Sequence, residues 1–97
     1  MKAIRKKPGC TPEIIEVENT LKALQQEVEG YIEVITLPYG AAIICNEEDR
    51  ILGLPDNGRV CGVDVVGTVL IVGTKDDEFC DVPEADSLMD HLREDKK

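Results

Sequence analysis

The stretch VDVVGTVLIVG at residues 63–73 is the longest apolar run in the chain. It carries one charge, Asp64, and from residue 69 onward contains only Val, Leu, Ile and Gly. A run of that length is far short of the eighteen or so apolar residues of a membrane span. Its β-branched residues favour an extended backbone. It is therefore predicted to be a central strand, with Gly67 marking a bulge or a close backbone approach.

Partners for such a strand are legible nearby. YIEVITL at 31–37 and AAIIC at 41–45 are β-rich runs joined by Pro38, Tyr39 and Gly40, the signature of a short hairpin. Residues 1–6 form another strand, ended by the turn KPGCTPE, and EIIEVE at 13–18 places Ile15 and Val17 on one face with Glu16 and Glu18 on the other. The basic residues Lys2, Arg5 and Lys6 would blunt the first strand as a sheet edge, with Lys7 just beyond it.

Two segments change period. Leu21, Leu24 and Val28 recur at helical spacing, Asn19 or Thr20 can cap the first turn, and Gly30 suits a left-handed C-terminal position, predicting a helix over 20–29. Ala85, Leu88, Met89 and Leu92 form a second apolar stripe, preceded by Asp81 as cap with Glu84 at capping-box spacing and Pro83 in the first turn. The expected architecture is a single α+β domain over residues 1–97. About five mainly antiparallel strands carry two helices packed on one face, in the order β-β-α-β-β-β-α.

Eleven basic against twenty acidic residues leave a net charge of −9, which opposes direct nucleic-acid binding, and three aromatics provide no row of base-stacking platforms. From residue 76 onward nine acids face three bases, so the acidic bias gathers at the C-terminal end. There is no apolar leader or membrane segment in the sequence, and Cys10, Cys45, Cys61 and Cys80 form no C-x-x-C pair. A cytoplasmic protein with reduced thiols is expected. Wide cysteine spacing and one histidine argue against a structural metal, and no cofactor motif occurs: the glycines make no phosphate-binding loop.

Residues 46–62 concentrate polar groups directly behind a buried strand. Asn46, Glu47, Arg50, Asn57 and Arg59 are the candidate ligand-binding residues, the amides as hydrogen-bonding groups and the arginines as anion partners, because rigid scaffolds present functional side chains on such loops. The competing reading is an ordinary turn, since PDNG has turn residues at every position and Asn amides satisfy emerging backbone. His91, on the flank of the second stripe, has no nucleophile to activate, and adjacent Glu47 and Glu48 are poorly placed as an acid/base pair. No catalytic residues are assigned and no enzymatic activity is expected.

Several segments together resemble a known family. They are MKAIRKKPG, the EGYIE stretch at 29–33, ICNEE at 44–48 followed by Leu54, Pro55 and Asn57, VVGTVLIVG, and the terminal DEFCDVPEADSLMDHL. This pattern is similar to a family of small bacterial, phage and mobile-element proteins known only as a domain of unknown function, unknown-function family 3846, over nearly the whole chain. The resemblance implies a recurrent architecture and a phage or mobile-element setting, and no activity. Here Cys80, Asp81, Val82 and Pro83 stand where it leads one to expect a helix start rich in threonine or serine.

Two functional expectations follow. The first is an acidic protein-interaction module that presents Asp86, Asp90 and Glu94 of the last helix to a basic protein. The second is a small-molecule, nucleotide-like ligand bound by the loop at 46–60.

Overall fold

A computed structural model describes residues 1–48 and 53–94. Its elements are β1 (Lys2–Lys6), β2 (Glu13–Glu16), α1 (Leu21–Val28), β3 (Ile32–Leu37), β4 (Ala41–Asn46), β5 (Asp56–Val60), β6 (Val63–Val66), β7 (Val69–Lys75), β8 (Glu78–Cys80) and α2 (Ala85–Glu94). The main sheet runs β2-β1-β7-β4-β3, every pairing antiparallel, and β8 joins β7 beyond the end of β1. The fold is α+β, as expected, with β5 and β6 as a second small sheet.

Because β7 and β4 are buried along nearly their whole length, neither face of the sheet can be left to solvent. One face carries Ala3, Ala42, Ile44, Leu70 and Val72, covered by Leu24 and Val28 of α1. The other carries Ile4, Ile43, Ile71 and Val69, covered by Met89 and Leu92 of α2 and by Val60 and Val65 of the β5–β6 hairpin. The two helices therefore lie on opposite faces, which corrects the expected packing on one face. The reason was visible in AAIIC and VLIVG, which are continuous apolar runs with no polar alternation to spare.

Four local expectations also change. The run at 63–73 is not one strand. Gly67 takes φ +68°, its N–H donates to the Pro55 carbonyl at 2.7 Å, and the chain leaves the hairpin to enter the main sheet as β7. The first strand is not an edge, since β1 lies between β2 and β7 and Lys6 is buried. The left-handed C-terminal residue of α1 is Glu29 (φ +60°), not Gly30, and Thr20 caps its start by accepting from the Ala23 N–H at 3.2 Å. Asp81 does not serve α2 as a cap. Its Oδ1 accepts from the Lys2 N–H at 2.8 Å, and the adjacent Val82 N–H donates to the Lys2 carbonyl at 2.9 Å, so this segment anchors β1.

Candidate functional site

The loop that begins behind β4 opens with Asn46, which is 3% exposed. Its Nδ2 donates to the carbonyls of Val28 (3.1 Å) and Glu29 (3.3 Å), while its Oδ1 accepts from the Glu48 N–H (2.7 Å). One side chain thus collects two carbonyls at the end of α1, which no further turn of helix satisfies, and starts the next turn. Gly30 makes the approach feasible, because a Cβ there would stand 2.6 Å from Asn46 Nδ2.

Asn57 is engaged as fully. Its Nδ2 donates to the carbonyls of Lys6 (2.9 Å) and Gly67 (2.7 Å), and its Oδ1 accepts from Lys6 Nζ (2.6 Å). The amide joins β1, β5 and the break before β7, which clamps the small hairpin against the main sheet. Glu47 is exposed, its backbone N–H donating to the Tyr31 carbonyl at 2.8 Å. Arg59 pairs with Asp64 across the hairpin at 3.2 Å, both in solvent. Arg50 lies outside the described residues. The four described candidates do not converge: Asn46 and Asn57 hold backbone at two separate junctions, Glu47 is in solvent, and Arg59 sits on the hairpin. A cleft of about 310 Å³ does lie beside Asn46, lined also by Val28, Glu29, Leu54, Pro55 and Gly67.

The acidic surface divides between the two faces. Asp86 and Asp90 are exposed on α2, and the Glu94 side chain lies outside the described residues. On the opposite face α1 runs along the strands, from Asn19, whose Nδ2 donates to the Phe79 carbonyl, to Val28, held by Asn46. One helix about 10 Å wide thus covers only part of about 19 Å across five strands. The part of the sheet beyond the helix is an open groove of about 480 Å³. Val34, Thr36, Thr74 and Phe79 line its sheet portion, and Asp76 and Asp77 of the β7–β8 turn rim it together with Lys75 and with Glu78 at the start of β8. Asp76 and Asp77 both adopt positive φ (52° and 65°), the two-residue geometry of a tight hairpin turn, so two carboxylates are displayed side by side.

This groove was missed in the sequence. The acids at 76–78 were visible, but their juxtaposition with Val34 and Thr36 depends on strand order and on one helix being too narrow to cover a five-stranded sheet face.

A family model described as a domain of unknown function, DUF3846, matches residues 1–94, from β1 to the end of α2. The chain belongs to that family. No curated protein and no solved structure matches it. The family match thus spans both helices and the groove between α1 and the β7–β8 turn. Among the described residues no group of His, Cys, Asp and Glu could hold a metal ion, and no helix is long and apolar enough to cross a membrane.

Proposed function

We propose that the domain is a non-enzymatic, acidic protein-interaction module that binds a basic segment of another protein. The observation that carries the reading is the groove beyond α1, where apolar side chains are left open beside three adjacent carboxylates. Apolar surface supplies contact area, and a carboxylate rim in a chain of net charge −9 steers a cationic partner and rejects anionic ones. A phage or mobile-element origin, implied by the family resemblance, suits a small module that captures a host protein in the cytoplasm. The acidic face of α2, with Asp86 and Asp90, adds to the long-range field on the far side of the sheet.

The small-molecule reading has the cleft beside Asn46 in its favour. Against it, both amides expected to meet the ligand are occupied by backbone within the fold.

The test is titration of the protein with a lysine-rich peptide at low and moderate salt. Asp76→Asn and Asp77→Asn remove charge while keeping a residue type that tolerates positive φ. Each is expected to weaken binding about two- to fivefold, equivalent to ~0.4–1 kcal/mol for an exposed ion pair. Asp86→Asn and Asp90→Asn should have smaller effects. Equal losses from all four variants would reduce the groove to one part of a diffuse negative surface.

A further inference from the structure

The two edges of the main sheet are treated differently. At one edge, β2 has four residues, follows Pro12, and exposes Glu13 and Glu16, with Glu13 drawn inward by Arg5 at 3.3 Å. Short length, charge and proline are the usual means of closing an edge to foreign strands. At the other edge, β3 has six residues, pairs without a bulge along its length with β4, and holds no proline and no lysine. Of the five large apolar side chains exposed among the described residues, three belong to β3 or its immediate flanks: Tyr31, Val34 and Tyr39.

The ladder register identifies the groups this edge offers. The Glu47 N–H donates to the Tyr31 carbonyl, so Tyr31 begins the hydrogen-bonded positions toward β4, and these continue at Glu33, Ile35 and Leu37. The intervening residues Ile32, Val34 and Thr36 turn their N–H and C=O groups away from β4, toward the open edge. Val34 and Thr36 also put their side chains into the carboxylate-rimmed groove.

We infer that the basic partner enters as an added strand on the free edge of β3, bonded to the outward N–H and C=O groups of Ile32, Val34 and Thr36. This inference rests on the interaction reading above and specifies its mode. Main-chain bonds supply affinity in strand addition, and alternate side chains supply selectivity. On the α1 side of the added strand, lysine or arginine stems lie across Val34 and Thr36, with their charged heads toward the groove. Charge decides the occupant: pairing β3 with β3 of a second copy would bring together two chains of −9, whereas a basic segment is attracted.

The experiment uses a peptide of about nine residues, the length of a long strand, alternating lysine with valine. A second peptide of equal charge has proline in place of each valine and cannot enter a ladder in the same way. Amide hydrogen exchange of the protein is followed residue by residue with each. The expected result is protection of Ile32, Val34 and Thr36 by the lysine–valine peptide only, with at least tenfold tighter binding than the proline peptide. Val34→Pro, which removes an outward donor and no bond to β4, should abolish that advantage while leaving the exchange of β7 amides slow.

Equal binding of both peptides without protection at β3 would overturn strand addition and leave the charge-based reading standing. No binding of either would overturn both. A dimer of the protein alone, dissolved by Val34→Pro, would overturn the basic partner in favour of a second copy.

Discussion

Lys6 and Asn57, 51 positions apart, close on each other from both sides: Lys6 Nζ donates to the Asn57 side-chain oxygen (2.6 Å) and carbonyl (2.8 Å), while Asn57 Nδ2 donates back to the Lys6 carbonyl (2.9 Å). A lysine 9% exposed keeps its charge in a fold only where its donors are met, and Asn57 supplies two of the acceptor oxygens. Asn57→Ala is expected to cost about 3 kcal/mol by leaving buried charge and two carbonyls short of partners. Lys6→Met keeps the apolar stem and is expected to cost less, about 1–2 kcal/mol. Urea denaturation of both variants checks the order, and a reversed order would show that the ammonium, not the amide, organises the junction.

Gly30 and Asn46 form a second fitted pair. Adding a methyl group at Gly30 displaces the Asn46 amide, and Gly30→Ala is expected to cost about 1–3 kcal/mol as an overpacked contact. Asn46→Ala should cost a similar amount through the freed carbonyls of Val28 and Glu29. Since both changes disrupt one contact, the double variant should cost clearly less than the sum. Additive costs in the double-mutant cycle would mean that the two residues act independently.

At Gly73 of β7, a Cβ would overlap the Asp81 carbonyl oxygen and lie 2.9 Å from Cys80 Sγ. The obstruction is largely backbone of the segment that anchors β1, so it has little room to yield. Gly73→Ala is expected to lower stability by about 2–3 kcal/mol. Gly58→Ala meets nothing within 4 Å and carries only the strain of φ +78°, about 1–2 kcal/mol. Thermal unfolding of the two variants side by side separates close packing from backbone strain.

Tyr39 joins the β3–β4 turn to the β5–β6 turn. The neighbouring Cys61 thiol, together with some burial, holds the tyrosine's pKa above the ordinary phenol value of 10.0. A folded-state pKa raised above the unfolded one stabilises the fold at pH below 10.0, and the contribution is lost as pH climbs through the raised value. Wild type should therefore exceed Tyr39→Phe in melting temperature near neutral pH, and the difference should vanish in strongly alkaline solution. A difference independent of pH would remove the hydroxyl from the explanation.

Much of the fold could be read from the chain because its strongest signals are local. Leu21, Leu24 and Val28, and then Ala85, Leu88, Met89 and Leu92, mark the helices by period, while Pro38, Tyr39 and Gly40 mark the turn between β3 and β4. The split at Gly67 was less legible, since an apolar run looks the same whether it serves one sheet or crosses between two. β8 was hidden because Glu78, Phe79 and Cys80 are too few to show any alternation.

The sequence by itself determined that residues 41–45 and 69–73 must be buried strands, that two amphipathic helices cover them, and that the C-terminal part is acidic. Those properties follow from hydrophobic period and composition, which each segment carries alone. The strand at 31–37, which reads as equally buried, proves to be a half-exposed edge. Only the tertiary structure decided that the helices take opposite faces, that Lys6 is buried against Asn57, and that β3 has an edge unpaired among the described residues beside the carboxylates of Asp76 and Asp77. These are relations between residues tens of positions apart, set by which strand pairs with which and by how much of a sheet face one helix can cover.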